Sequence, residues 1–147
     1  MATTGLPKWP WTGAEADALP PAERLLIDCA RAWAQAARFG QPALLALRRL
    51  LATEDAMAAA EPLDALLRAL SQHPLMLGCP LCPRLVGEEP ALLLAVACAQ
   101  RGPRREALAC LLRHLPPHQA YAATGAAIAL GCAFRRSGLK LGDPWGG

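Results

Sequence analysis

The sequence has few of the residue types that β-sheets favour. Aromatic residues make up only 5% of the 147 residues, and valine and isoleucine are scarce. β-Branched and aromatic side chains are the ones that pack well on a pleated surface, so their scarcity argues against a sheet. Alanine and leucine dominate instead, and both are strong helix formers. The composition therefore predicts an all-α fold.

The sequence motifs that mark common enzyme classes are also missing. There is no glycine-rich phosphate loop, no H-E-x-x-H metal motif and no G-x-S-x-G nucleophile elbow. Acidic residues are few, and the only adjacent carboxylates are Glu54/Asp55 and Glu88/Glu89. A solvated turn explains the first pair, and the favourable negative charge at a helix start explains the second. The sequence therefore favours a protein that is not an enzyme.

Charge is sparse, with 18% charged residues and a net charge of +3. Nucleic-acid-binding domains usually carry a denser basic face, so we expect no nucleic-acid partner. The longest largely apolar run, residues 120–134, is too short to span a membrane, and residues 1–13 lack the apolar core of a secretory signal. Arginine outnumbers lysine 13 to 2, a bias typical of GC-rich bacterial genomes. We expect a cytoplasmic bacterial protein without membrane association, whose cysteines stay reduced.

Six prolines each stand just ahead of a segment with helical apolar periodicity. Proline is tolerated at the first position of a helix, because its missing N–H would have no intrahelical partner there. We therefore predict a single-domain bundle or orthogonal array of about six helices. These helices cover residues 21–39, 42–52, 62–72, 90–100, 103–115 and 117–136.

The first of these helices shows a clear division between a polar and an apolar face, as expected for an amphipathic helix that covers a core. The predicted domain spans residues 19–138, with tails at residues 1–18 and 139–147. The tails carry tryptophan, which free segments seldom contain, so we expect them to be ordered at least in part. The polar stripe of the first helix consists of Arg24, Asp28, Arg31, Gln35 and Arg38, and the tail tryptophans are Trp9, Trp11 and Trp145.

One short motif, Cys79-Pro80-Leu81-Cys82, is a candidate for chemistry. The C-x-x-C spacing lets two thiolates meet at one centre, and it serves both zinc sites and redox dithiols. A thioredoxin-type motif follows a strand and opens a helix, whereas this pair follows a predicted helix and is succeeded by Pro83. Three interpretations stay open: incidental or structural cysteines, a metal site, and a redox pair.

A zinc site needs two further ligands, and the sequence offers several. His114 and His118 have the spacing of the histidine half of a zinc finger, but they lie far along the chain from the motif, and His73 lies shortly before it. Alternatively, two subunits could each give their C-x-x-C pair to a shared four-thiolate site. The other cysteines are conceivable ligands too, although we expect the last three, which lie mid-helix among apolar residues, to be buried in the core. They are Cys29, Cys98, Cys110 and Cys132.

The leading functional hypothesis is a non-enzymatic helical module that binds a protein partner or forms a homo-oligomer. It rests on the helical pattern, the low charge and the tryptophan-containing tails. The first alternative is a zinc or iron protein that uses Cys79 and Cys82, with His73, His114 or His118 as further ligands. The second alternative is a pocket for a small apolar ligand between the alanine- and leucine-rich helices.

Overall fold

A computed structural model describes residues 11–72 and 75–144. Within these residues the fold is all-α, with six α-helices, two short 3-10 turns and no strand. This confirms the predicted fold class and the number of main helices. Within the described part of the chain, no helix combines the length and the apolar character that crossing a membrane requires. The helices are α1 (Pro21–Arg38), α2 (Ala43–Ala52), α3 (Ala60–Leu70), α4 (Glu89–Arg101), α5 (Arg104–Leu112) and α6 (Pro117–Arg136).

The helices begin close to the prolines that predicted them. Proline occupies one of the first two positions of α1, α4 and α6, whereas Pro42 and Pro103 directly precede α2 and α5. Helix α3 begins earlier than predicted, at Ala60, so that Pro62 is its third residue. That position is still in the first turn, where backbone N–H groups have no intrahelical acceptor. The prolines therefore mark the helix starts to within a turn.

The core is built around α6, which packs against α3, α4 and α5, while α1 packs on α2. Helix α4 is buried almost all round, as its continuous apolar sequence predicts, and every residue from Leu92 to Gln100 is buried. Helices α4 and α6 approach closely at Gly131, where an added Cβ would lie 3.1 Å from Gln100 Cα. The burial of each large apolar side chain stabilises such a core by about 1.5–3 kcal/mol.

The N-terminal segment from Trp11 onward packs on the domain. Trp11 is only 7% exposed and belongs to the hydrophobic core. The Ala16 N–H donates to the Pro83 carbonyl at 2.7 Å, and the Leu85 N–H donates to the Ala14 carbonyl at 2.9 Å. This segment therefore lies along the chain that follows the C-x-x-C motif.

The C-terminal segment is fixed by one buried glutamine. The Gln100 side-chain amide donates to the Leu139 carbonyl at 2.9 Å, and its oxygen accepts the Leu141 N–H at 2.7 Å. Leu141 belongs to the core. Parts of both predicted tails are therefore ordered, while Trp9 and Trp145 lie outside the described residues.

Candidate functional site

The dithiol loop, defined here as residues 75–88, connects α3 to α4 and contains no helix or strand. Its two ends pair with each other, since the Glu88 N–H donates to the Met76 carbonyl at 3.0 Å. The Glu88 carboxylate also accepts the Met76 N–H. Gly87 makes this closure with a φ of +56°, a conformation that glycine adopts without steric cost. The loop is therefore a closed, internally bonded unit.

A buried ion pair supports the loop from beneath. Arg31 in α1 is 1% exposed and Glu89 at the start of α4 is 0% exposed. The arginine Nε and one terminal nitrogen donate to the two carboxylate oxygens at 2.7 and 2.9 Å. This bidentate geometry is the strong form of a charged hydrogen bond. The hydrogen bond to Glu89 raises the pKa of Arg31 above its ordinary value, so the guanidinium is always charged.

Both members of the pair also bind the backbone of the dithiol loop. Arg31 donates to the Cys82 carbonyl at 2.9 Å and to the Arg84 carbonyl at 3.0 Å. Glu89 accepts the N–H groups of Gly78 and Val86, each at 2.8 Å. Buried charges are tolerated when their hydrogen-bonding capacity is satisfied in this way. The ion pair thus fixes the backbone on both sides of the two cysteines.

The structure brings the two cysteine side chains of the motif together. The sulfur atoms of Cys79 and Cys82 lie 3.1 Å apart. A tight turn sets this distance, in which the Cys82 N–H donates to the Cys79 carbonyl at 3.0 Å and the Cys79 N–H donates to the Cys82 sulfur at 3.3 Å. Cys79 is exposed and Cys82 is half-buried. The turn itself therefore holds the two sulfurs close together, and solvent reaches the pair from one side.

The two thiols have different electrostatic environments. The hydrogen bond from Cys82 lowers the pKa of Cys79, and the backbone N–H groups of Leu81 and Cys82 lower it further. The same hydrogen bond raises the pKa of Cys82, although the Arg31 charge opposes that rise. These shifts predict that Cys79 loses its proton before Cys82. Because the thiolate is the nucleophile and the metal ligand, we expect Cys79 to react first.

Cys79 is expected to be alkylated before Cys82 in the reduced native protein. Thiolate content rises with pH, so the lowered pKa of Cys79 moves the midpoint of its reaction below the roughly 8.5 of an ordinary thiol. Iodoacetamide labelling across a pH series, with the modified peptides identified by mass, measures this order. Cys29 serves as the unreactive control, because its burial raises its pKa to about 12. Equal labelling of both loop cysteines at every pH would contradict the assignment.

The other predicted ligands do not join this pair. His118 is exposed in the first turn of α6, and His114 follows α5 beside a small cavity. His73 lies outside the described residues. Across residues 11–72 and 75–144, no three or more His, Cys, Asp or Glu side chains are grouped so that they could hold a metal ion. Within that part of the chain, the loop thus presents two ligands without a third.

The remaining cysteines do not all lie in the core. Cys29 and Cys98 are buried and Cys110 is half-buried, but Cys132 is exposed. The expectation that Cys132 packs in the core is therefore wrong, because α6 turns this residue to solvent. Cys98 and Cys110 face each other between α4 and α5 with their sulfurs 3.9 Å apart.

The cavity beside His114 bears on the hypothesis of a small apolar ligand. It lies between α3, α4 and α5 and has a volume of about 70 Å³. An engineered cavity that binds benzene has a volume of about 150 Å³, about twice that of this one. The cavity therefore gives little support to an apolar-ligand function. It is lined by Leu70, Leu75, Glu88, Ala91, Leu92, Ala95, Leu111 and His114.

Gly87→Ala is expected to destabilise the protein more than Gly138→Ala. Both glycines have a positive φ, +56° and +78°, so both variants carry the backbone penalty of about 1–2 kcal/mol. An added Cβ would lie 2.3 Å from the Met76 carbonyl oxygen at position 87, but would meet nothing within 4 Å at position 138. Overpacking of this kind costs a further ~1–3 kcal/mol. Urea unfolding of the two variants measures the difference, and equal losses would show that the loop does not close as described.

Arg31 and Glu89 are the site residues that sequence reasoning missed. Arg31 belongs to the polar stripe that is expected to face solvent, and Glu89 is explained by its position at a helix start. The two residues are 58 positions apart, and neither belongs to a motif. The local sequence offers one hint of a buried charge, the acidic residues Glu88 and Glu89 at the start of an otherwise apolar helix.

Comparisons with protein-family models, with curated proteins and with solved structures find no match to this chain. The fold and the site define an all-helical protein with a preformed dithiol on a loop that a buried ion pair holds in place.

Proposed function

We propose that the protein is a non-enzymatic helical binding module and that its dithiol loop binds zinc through Cys79 and Cys82. The observation that carries this proposal is the approach of the two sulfurs, which lie 3.1 Å apart as free thiols. Thiolate is the preferred ligand of structural zinc sites, and a C-x-x-C turn supplies two of the four positions.

The sulfur–sulfur distance is close to the one that a metal site needs. A zinc–sulfur bond of about 2.3 Å places two sulfurs of a tetrahedral site about 3.8 Å apart, whereas a disulfide needs about 2.05 Å. From the observed 3.1 Å, the sulfurs open by about 0.7 Å to bind zinc and close by about 1 Å to form a disulfide. Both movements are small, so the distance permits a metal site, and a reducing compartment keeps the pair available for it.

Groups around the two thiols favour the charged form that a metal requires, whereas the thiol–thiol hydrogen bond that opposes it at Cys82 is replaced when a metal binds. Zinc binds thiolates and releases their protons, so groups that stabilise thiolate strengthen binding. Backbone N–H groups lower the pKa of Cys79, and the Arg31 charge acts in the same direction on Cys82. Such outer hydrogen bonds orient metal ligands and tune their affinity. A reducing compartment such as the cytoplasm is part of the proposal, since an oxidised pair binds no zinc.

Zinc analysis of the untagged, freshly reduced protein tests this function. After incubation with zinc and removal of weakly bound metal, we expect at least one zinc ion for every two chains. Changing both Cys79 and Cys82 to serine should abolish retention, while Cys132→Ser, which alters an exposed cysteine on α6, should leave it unchanged. Unfolding curves recorded with a chelator should match closely for all three proteins, because Cys79 and Cys132 are exposed and Cys82 is only half-buried. A reduced wild-type protein that retains no zinc would remove the proposal.

A further inference from the structure

We infer that a second copy of this chain supplies the remaining ligands, so that two dithiol loops hold one zinc ion between them. This inference rests on the proposed zinc function and names its partner. It makes the site a set of four thiolates, Cys79 and Cys82 from each of two copies, and makes zinc the link that forms a homodimer.

In the part of the chain that the structure describes, one copy presents only half of the ligands of a structural zinc site. Structural zinc sites are almost always four-coordinate, and the loop presents two sulfurs. Among the residues that the structure describes, no third His, Cys, Asp or Glu joins them. Two thiolates are half of a Cys₄ set, so a copy related by a two-fold axis through the metal completes the set with the same two residues. Such isologous contacts are the commonest way in which identical chains associate.

The dithiol loop and its surroundings expose large apolar side chains that a second copy could cover. Leu81, between the two cysteines, is 90% exposed, Met76 near the start of the loop is 65% exposed, and Phe39 at the end of α1 is 66% exposed. Large apolar side chains of this kind are the ones that a binding partner covers at the centre of an interface. Leu81 lies between the two cysteines and Phe39 lines the same groove as Cys79, so both stand on the side from which a second pair of thiolates can approach.

The charge of a four-thiolate zinc site also fits an assembly of two copies. A zinc ion with four thiolates has a net charge of about −2. The groove beside Cys79 is lined by Arg38 at the end of α1, together with Arg31. Arg31 is already paired with Glu89, whereas Arg38 adds a further positive charge to the groove that Cys79 lines. Two copies bring two Arg38 side chains, which balance the negative charge of zinc with four thiolates. One copy with two thiolates on the zinc ion has no such excess charge to balance.

Native mass spectrometry of the full, reduced chain tests the inference, with zinc added at half an equivalent and then removed by a chelator. We expect a species of twice the chain mass with one zinc ion, which returns to monomer on chelation. Changing both Cys79 and Cys82 to serine should abolish this species, and Cys132→Ser should preserve it. Arg38→Glu should weaken the dimer at least tenfold, whereas Arg136→Glu, an exposed change at the end of α6, should not.

The outcomes separate the inference from the function on which it rests. One zinc ion in a monomer, lost in His73→Ala, would overturn the shared site but leave zinc binding in place. Zinc in a monomer that His73→Ala retains would overturn it equally. A dimer that persists without zinc, or in the serine variant, would place the interface elsewhere and also overturn it. Absence of zinc from every species would remove both proposals.

Discussion

Glu89→Ala is expected to lower the free energy of unfolding by about 3–5 kcal/mol, the usual loss when one member of a buried ion pair is removed. The variant leaves Arg31 charged in a site where it is 1% exposed. It also removes the acceptor of the Gly78 and Val86 N–H groups. For a chain of this length each kcal/mol corresponds to about 2–4 °C, so the melting temperature should fall by roughly 6–20 °C.

Chemical and thermal unfolding measure this loss, with Glu61→Ala as the matched control. Glu61 pairs with Arg48 at 3.2 Å, but its side chain is 75% exposed. Exposed pairs of this kind contribute about 0–1 kcal/mol. Similar losses in the two variants would show that the Arg31–Glu89 pair does not hold the loop as the structure indicates.

Arg31→Lys is expected to weaken zinc binding by about 10–100-fold, the usual effect of changing an outer hydrogen-bonding partner of metal ligands. The guanidinium spans Glu89 on one side and the carbonyls of Cys82 and Arg84 on the other. A lysine ammonium is a single point charge and cannot make this planar set of contacts. It still neutralises Glu89, so we expect a smaller loss of stability than in Glu89→Ala.

Competition with a chromophoric chelator measures the zinc affinity of the Arg31→Lys variant. Arg38→Lys is the control, because Arg38 lines the same groove and the change keeps its charge while it leaves the loop backbone untouched. We expect wild-type affinity in this control. An unchanged affinity in Arg31→Lys would show that the ion pair supports the fold without influencing the thiols.

The helices could be predicted from the sequence because their signals are local. Apolar periodicity and the position of proline depend on residues within a turn or two of each other. Gly40 is an example, since it ends the first helix and adopts a φ of +68°. Alanine-rich helices are less informative about orientation, because small side chains give both faces similar hydropathy. This is why the exposed position of Cys132 was not predicted.

The support of the candidate site could not be predicted because it depends on distant parts of the chain. Arg31 follows the periodicity of an exposed stripe, and only the dithiol loop folding over α1 buries it. Its partner Glu89 is equally well explained as a charge at a helix start. The C-x-x-C spacing indicated that two thiolates can meet, but not that a buried ion pair fixes the turn that brings them together.

Zinc K-edge X-ray absorption of the zinc-loaded, reduced protein tests most directly whether Cys79 and Cys82 are metal ligands. We expect sulfur neighbours at about 2.3 Å from the metal, and their loss when both cysteines are changed to serine. A first shell made only of nitrogen and oxygen at about 2.0–2.2 Å in the reduced wild-type protein would show that these cysteines do not bind the metal.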